Sequence, residues 1–136
     1  MGKIERFEDV IAWQLARKLV NAIYGVSNEK EFAKDFGLRD QIRRAASSVM
    51  HNIAEGFDAG TDPEFIRFLR YSLRSASETQ SHLYTAIDQG YINTKQFDEL
   101  YKKADVTKTK LHGFIGYLVR NKSQRKLREK ATYYDT

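Results

Sequence analysis

Apolar side chains recur every three or four residues through most of this chain, and that spacing matches one face of an α-helix. Short stretches containing glycine, proline or small polar residues separate four such segments. We expect helices at about residues 9–26, 38–55, 63–89 and 94–120. Because helices joined by short connections run antiparallel, the pattern predicts an all-α fold, an antiparallel up-down-up-down four-helix bundle. Strands are not expected, since no segment alternates between apolar and polar residues.

The segment from residue 37 to residue 56 carries two stripes of opposite character. The apolar stripe consists of Leu38, Ile42, Ala46, Val49 and Ile53. The polar stripe, at the same spacing, consists of Gln41, Ser48, Asn52 and Glu55. Gly56 should end this helix in the left-handed conformation that glycine adopts at little cost. Glu55 would then face the negative end of the helix dipole, so we expect an arginine of a neighbouring helix to stabilise it.

Residues at the segment boundaries predict how the helices begin and end. Asp9 is placed to cap the first helix, and Asp62 is placed to cap the third, directly before a proline. Gly90 should end the third helix. Asn93 and Gln96 have the spacing of a capping box, which predicts the start of the fourth helix.

Two further pairs of residues need a structural role. Phe32 and Phe36, in the polar connection after the first helix, should cover one end of the bundle. Gly113 and Gly116 lie inside the fourth helix, where each glycine costs about 1 kcal/mol relative to alanine. Either another backbone approaches these glycines closely, for instance at a subunit contact, or the helix tolerates the weakness.

Composition narrows the class of protein. The chain has 136 residues, enough for one domain with its own core. It contains no cysteine, which excludes disulfides and thiolate metal sites and favours a reducing compartment. The first residues lack the apolar run of a secretion signal, and no stretch approaches the ~18–20 apolar residues of a membrane span. We therefore expect a soluble, cytoplasmic protein with no membrane partner.

Positive charge is concentrated near the C-terminus. Residues 101–136 carry ten lysines and arginines against three carboxylates, a surplus of +7, whereas residues 1–100 carry thirteen against fifteen, or −2. Such a run can contact phosphates and gain affinity from counterion release. The alternative is that residues 122–136 form a solvated tail, with no binding role, beyond a bundle of residues 1–121. The candidate nucleic-acid contacts are Lys102, Lys103, Lys108, Lys110, Arg120, Lys122, Arg125, Lys126, Arg128 and Lys130.

A second group of polar residues is predicted to hold the helices together. Folding the chain about the 57–62 turn lets Arg43 or Arg44 meet Glu78, and lets Arg67 meet Glu55. Charges that face other helices need partners, so structural pairing is favoured over contact with nucleic acid. This predicted polar network consists of Arg43, Arg44, Asn52, Glu55, Arg67 and Glu78.

Residue types suited to catalysis are present but form no recognisable motif. His51 with Glu55, and His82 with Glu78, have four-residue helical spacing, and His112 stands alone. Di-iron bundles instead use Glu-x-x-His on two helices with further inward carboxylates. Nucleophile motifs and phosphate-binding glycine loops are absent from the sequence. We expect no enzymatic activity, no metal and no cofactor.

The sequence of residues 41–48, Gln-Ile-Arg-Arg-Ala-Ala-Ser-Ser, with Asn-Ile-Ala-Glu-Gly at 52–56, resembles a known signature. It is similar to that of the four-helix-bundle proteins encoded in intervening sequences of 23S ribosomal RNA genes. Further matching segments follow in order at residues 7–9, 13–14, 64–69 and 90–92. The resemblance covers roughly residues 5–120. It implies a homopentamer around a central channel and an association with ribosomal or other structured RNA. A similar protein accompanies reverse transcriptases in diversity-generating retroelements, which implies a possible protein partner.

Two functions of different classes stay open on this basis. The first is a nucleic-acid-binding module, in which oligomerisation multiplies the basic residues and raises avidity. The second is a ring-forming structural adaptor that binds a protein partner, with charge serving only solubility. Retention of structured RNA that falls steeply with salt would favour the first.

Overall fold

The computed structural model describes residues 3–120, and all regular secondary structure in that range is helical. After a short 3₁₀ turn at Phe7–Asp9 come α1 (Ile11–Ser27), α2 (Lys30–Lys34), α3 (Phe36–Asp58), α4 (Asp62–Asp88) and α5 (Thr94–Arg120). The four long helices pack in the cyclic order α1, α3, α4, α5. The predicted all-α helical bundle is confirmed. Residues 122–136, predicted to be a basic tail, lie outside the described residues.

Two buried clusters fill the bundle, one towards each end. Their largest members come from the apolar stripes, because a helix hides a whole face once it packs on two neighbours. The first cluster includes Trp13, Ile53, Phe65, Leu111 and Leu118. The second includes Leu19, Phe32, Ile42, Leu83 and Leu100.

Two of the predicted helix starts are wrong in detail. The Asp9 carboxylate does not cap α1 but accepts hydrogen bonds from the amides of Glu5 and Arg6, at 3.0 and 3.1 Å, and so closes the preceding turn. Thr61, rather than Asp62, caps α4, because its hydroxyl accepts from the Glu64 amide at 3.4 Å. The start of α1 at Val10 thus has no side-chain cap, whereas at α4 the residue before Asp62 provides one.

The predicted connection between α4 and α5 is confirmed. Gly90 follows α4 with a φ of +77°, a conformation that glycine adopts at little cost. The Asn93 side chain accepts from the Gln96 amide at 2.8 Å, and the Gln96 side chain accepts from the Asn93 amide at 2.9 Å. This reciprocal pair is the capping box that the spacing predicts.

The connection between α1 and α3 contains the short helix α2 and differs from its prediction in one residue. Phe32 is fully buried, as expected, whereas Phe36 is 64% exposed and covers nothing. Phe32 stacks on Tyr91 with ring centroids 5.3 Å apart. The Asp35 carboxylate accepts from the Leu38 amide at 3.1 Å, which caps α3, and from the Tyr91 hydroxyl at 2.9 Å. One carboxylate therefore ties the start of α3 to the α4–α5 connection.

The prediction that Gly56 ends its helix is wrong. α3 continues to Asp58, and the left-handed glycine is Gly60, with a φ of +87°. Gly56 is buried where α3 and α4 come closest. A methyl group there would lie 2.8 Å from Phe68 Cβ and 2.9 Å from Phe65 Cδ1, closer than side chains pack. Glycine is required because the neighbouring helix occupies the space of a side chain.

Gly56→Ala should therefore destabilise the bundle, although alanine is the better helix former. Helix propensity favours the change by about 1 kcal/mol, but separating α3 from α4 costs about 1–3 kcal/mol more in a well-packed core. Urea denaturation would measure the difference. Gly25→Ala in α1 is the matched control, because a methyl group at Gly25 meets no atom within 4 Å. A Gly56→Ala protein as stable as the Gly25→Ala protein would contradict this explanation of the glycine.

Tyr91→Phe should change how stability responds to alkaline pH. The hydrogen bond to Asp35, together with partial burial, raises the pKa of Tyr91 above its ordinary 10.0, since both favour the neutral phenol. The folded protein thus binds this proton more tightly than the unfolded chain. The resulting stability is complete below pH 10 and is lost as pH rises through the folded pKa.

Melting temperatures measured from about pH 8 to pH 11 test this linkage. Tyr91→Phe should lower the melting temperature at pH 8 and show a smaller further loss at pH 11 than the unmodified chain. Tyr24→Phe, at an exposed tyrosine of α1, is the control. Parallel pH profiles for all three proteins would count against the Asp35–Tyr91 contact.

Candidate nucleic-acid interface and polar contacts

The cations predicted on α5 divide into exposed and structural residues. Lys102, Lys103, Lys110 and Arg120 are exposed, and none of the four forms an ion pair with a described residue. The Arg120 side chain folds back along its own helix towards Gly116. A methyl group at Gly116 would lie only 3.1 Å from Arg120 Nη1. These four cations remain available to a ligand. The other predicted contacts, at residues 122–130, lie outside the described part of the chain.

Lys108 differs from the other α5 cations because it takes part in a polar contact between helices. Its ammonium group donates to Gln80 Oε1 of α4 at 3.1 Å. Gln80 is buried, and its amide nitrogen donates to Asp105 Oδ1 at 2.9 Å and to the Tyr101 carbonyl oxygen at 3.3 Å. This arrangement favours a structural role for Lys108 over the predicted phosphate contact.

The Gln80 contact is a feature of the bundle that sequence reasoning misses. Gln80 occurs on the apolar face of the third predicted helix, and a glutamine in that position is the signal that could have indicated a buried polar partner. The partners of Gln80 lie on α5, so they cannot be identified until the relative position of α4 and α5 is known.

The predicted pair of Glu55 and Arg67 is not formed. Arg67 instead binds Glu64, three residues earlier on its own helix, through two hydrogen bonds of 3.1 and 2.7 Å. It also donates to the Tyr71 hydroxyl at 2.9 Å. The Glu64 carboxylate raises the pKa of Arg67 and the guanidinium lowers that of Glu64, because each stabilises the charged form of the other. Glu55 is exposed and forms no ion pair with a described residue.

The predicted contact between Glu78 and an arginine of α3 is also wrong. Arg43 points towards α1, where its Nε donates to Ser27 Oγ at 2.8 Å and its guanidinium lies 4.5 Å from the Tyr24 ring centroid. Arg44 is exposed. Glu78 lies 3.3 Å from His82 on its own helix. Glu78 thus pairs within its own helix, and Arg43 finds its partner on α1 and not on α4.

Asn52 does belong to a polar seam between α3 and α4, but its partner is Ser48 of its own helix. Its amide donates to the Ser48 carbonyl at 2.8 Å and to Ser48 Oγ at 2.9 Å. Ser75 of α4 donates to the same Ser48 hydroxyl at 2.9 Å, and Ser72 donates to the Val49 carbonyl oxygen at 2.8 Å. Small hydroxyl side chains thus let two helices approach closely while their polar atoms stay satisfied.

A cleft of about 430 Å³ opens where the start of α1 meets the second half of α5. Apolar side chains provide most of its lining, among them Ile11, Phe114 and Tyr117. Gly113 borders the cleft, and a methyl group there would meet no atom within 4 Å. Within residues 3–120, no neighbouring backbone explains this glycine, so the close approach considered for it is not made inside one chain.

The described residues do not bring the histidines into a metal site. Across residues 3–120, no group of three or more histidine, aspartate or glutamate side chains could hold a metal ion. Among the helices described, none has the length and apolar character needed to cross a membrane.

Together these observations define a class of protein: a bundle of four long helices with polar seams between helices and exposed cations on its last helix. The comparisons identify the family within that class. The model of the 23S rRNA-intervening sequence protein family matches residues 8–113, so the chain belongs to this family.

A solved structure supports the same fold. It is described as a protein of unknown function from the S23 ribosomal protein family of Bacteroides thetaiotaomicron VPI-5482. It aligns with a TM-score of 0.73 over 78% of this chain and 96% of that one, at 23% sequence identity. At that identity the likeness shows the fold. No curated protein matches the chain at a significant level.

Gln80→Ala should destabilise the bundle more than an exposed glutamine substitution does. Removing the buried amide loses its hydrogen bonds to Asp105, Lys108 and the Tyr101 carbonyl oxygen, each worth about 0.5–1.5 kcal/mol. Gln41→Ala is the matched control on an exposed helical position and should change stability by less than about 0.5 kcal/mol. Chemical denaturation measures both variants, and equal midpoints would show that the Gln80 contact contributes little.

Proposed function

We propose that this chain is a non-enzymatic, oligomeric helical-bundle protein that binds structured RNA or other nucleic acid through its basic surface. The observation that carries the proposal is the exposure of the α5 cations and their lack of carboxylate partners. Lys102, Lys103, Lys110 and Arg120 are exposed and form no ion pair with a described residue. The sequence adds five more cations between residues 122 and 130.

The physical basis is electrostatic. Cations without carboxylate partners can release condensed counterions when they meet phosphates, and that release supplies most sequence-independent affinity. Lysines on flexible stems contact phosphate oxygens and have no fixed geometry for reading base edges. Family membership adds support for an RNA partner, since the family is described by its relation to intervening sequences of 23S rRNA.

Self-association is the second part of the proposal, and the resemblance suggests a homopentamer. The apolar cleft between α1 and α5 supports a contact between copies, because Ile11 on its border is 46% exposed. Gly113 beside it leaves room for a neighbouring chain. Several copies in one assembly would multiply the basic residues and raise avidity for RNA.

The alternative function is a ring-forming adaptor for a protein partner, for example a reverse transcriptase. One observation favours it. Tyr84 is 53% exposed and contacts Phe97 and Tyr101, with ring centroids 4.9 and 5.9 Å apart. Exposed aromatic clusters are common at protein–protein contacts. The adaptor would require neither the α5 cations nor the residues after Arg120.

RNA binding across a salt series separates the two functions. The intact chain should retain structured RNA at low salt and lose affinity steeply as salt rises. Truncation after Asn121 removes five cations but leaves the fully buried Leu118 in place. It should weaken binding to RNA and DNA alike. The slope of the logarithm of affinity against the logarithm of salt concentration, called here the salt slope, should become shallower by about 0.7–0.9 for each phosphate that the shortened chain no longer neutralises.

Two outcomes would redirect the proposal. Unchanged binding after truncation would move the contact to cations of the described helices. An intact chain that binds no RNA even at low salt would contradict the nucleic-acid function and favour the adaptor.

Light scattering tests self-association directly. A pentamer would have about five times the chain mass of 15.8 kDa. Ile11→Glu should reduce that mass, because it places a charge in the cleft. Val106→Glu, at a similarly exposed apolar position of α5, is the control and should leave the mass unchanged. A monomer mass for the unmodified chain at tens of micromolar protein would contradict self-association.

A further inference from the structure

The charge of α1 differs from that of every other long helix. Its residues, Ile11–Ser27, include Arg17 and Lys18 but no aspartate or glutamate. The helices α3, α4 and α5 each carry at least three carboxylates among their cations. Both α1 cations are exposed. The outer face of α1 is therefore positive without compensation from its own helix.

Three arginines on this side of the molecule lie near aromatic rings. Arg17 lies 6.0 Å from the Trp13 ring centroid, and Tyr24, two turns further along α1, lies under Arg43 of α3 at 4.5 Å. Arg39 precedes Arg43 by one turn and lies 4.7 Å from the Phe36 ring centroid. Arg17, Tyr24, Arg43, Arg39 and Phe36 therefore follow one another along the α1–α3 face and are called here the arginine–aromatic row.

Two cations of the row, Arg17 and Arg43, have no carboxylate partner among the described residues. Arg43 uses only its Nε, on the Ser27 hydroxyl. Arg39 pairs with Asp40 at 3.2 Å and donates to the Ala33 carbonyl oxygen. Arg67 of α4, in contrast, is occupied by both carboxylate oxygens of Glu64. A polyanion would therefore meet less internal competition at Arg17 and Arg43 than at Arg67.

The aromatic members add a second kind of contact. Phe36 is 64% exposed and Tyr24 is 45% exposed, so each leaves ring surface open to the solvent. Phe36 has no role in the bundle core, unlike Phe32 four residues earlier. Exposed rings alternating with arginines suit single-stranded nucleic acid, in which unpaired bases stack on rings while phosphates meet cations. An acidic peptide would satisfy the arginines but not this pattern of rings.

We propose that the arginine–aromatic row binds a single-stranded segment of RNA. Arg17, Arg43 and Arg39 contact phosphates, Tyr24 stacks on a base between Arg17 and Arg43, and Phe36 stacks on a base at the far end of the row. The row advances by seven residues along α1 and by seven along α3, about 21 Å at 1.5 Å per helical residue, a stretch of several nucleotides. This inference rests on the proposed RNA-binding function and adds both a second contact face, formed by α1 and α3, and a preference for unpaired RNA.

Fluorescence anisotropy with a labelled, unstructured RNA oligonucleotide tests the proposal. The variant Arg17→Gln with Arg43→Gln should bind about tenfold or more weakly and reduce the salt slope by about 0.7 for each arginine removed. Arg70→Gln with Arg74→Gln is the matched control, because it removes the same charge from exposed positions of α4. Its affinity should stay within about twofold of the unmodified chain.

A second variant separates stacking from charge and leaves the Arg43–Ser27 hydrogen bond intact. Phe36→Ala should weaken binding of single-stranded RNA by about fivefold or more and leave the salt slope unchanged, whereas binding of a fully paired duplex should not respond. Circular dichroism melts confirm that each variant is folded. Because Phe36 is exposed, its replacement should leave the melt nearly unchanged.

Three results would overturn the inference. If both arginine variants lose affinity equally, binding depends on total charge and not on the row. If Phe36→Ala binds RNA normally, or if polyglutamate competes as well as RNA does, the row does not recognise bases. If the unmodified chain binds no RNA at all, the proposed function fails, and that result is distinct from the first two.

Discussion

The rest of the structure depends on the close approach of α3 and α4 at Gly56. Phe65 and Phe68 occupy the space that any other residue at position 56 would need. Along the same seam, Ser72 donates to the backbone of α3 and Ser75 donates to Ser48, so short hydroxyl side chains maintain the packing where larger apolar ones would separate the helices. Because α3 also packs against α1 and α2, the position of α3 on α4 sets the position of the remaining helices.

This constraint also decides which polar side chains stay free. Small residues fill the seam, and Arg67, a long charged side chain of α4, binds Glu64 on its own helix and not Glu55 of α3. Arg43, directed towards α1, meets a hydroxyl and an aromatic ring and no carboxylate. The uncompensated positive charge of α1 thus follows from its lack of acidic residues, and the orientation of Arg43 adds a further cation beside it.

Periodicity predicts much of this fold because the apolar stripes of a bundle are long. An error of a residue or two in a helix boundary leaves their spacing recognisable. The capping box at Asn93 and the turn at Gly90 are equally predictable, since they depend only on residues a few positions apart. The role of Gly56 is not, because a glycine near the end of a pattern signals either a terminus or a close approach, and only the neighbouring helix distinguishes them.

The candidate site is less predictable than the fold. The partner of Arg67 depends on a competition between Glu64, three residues away, and Glu55 on another helix, and the local pair has the smaller entropic cost. Similarly, Lys108 resembles any surface cation until α4 places Gln80 beside it. The arginine–aromatic row brings together side chains from two helices, so no single stretch of sequence reveals it.

The most direct test of RNA binding at the α1–α3 face is an NMR titration of the arginine Nε–H signals with single-stranded RNA. We expect the signals of Arg17, Arg39 and Arg43 to shift on addition of RNA, while that of Arg67, already bound to Glu64, stays in place. Shifts confined to Arg70 and Arg74, or equal shifts of all arginines, would contradict the assignment of RNA binding to this face.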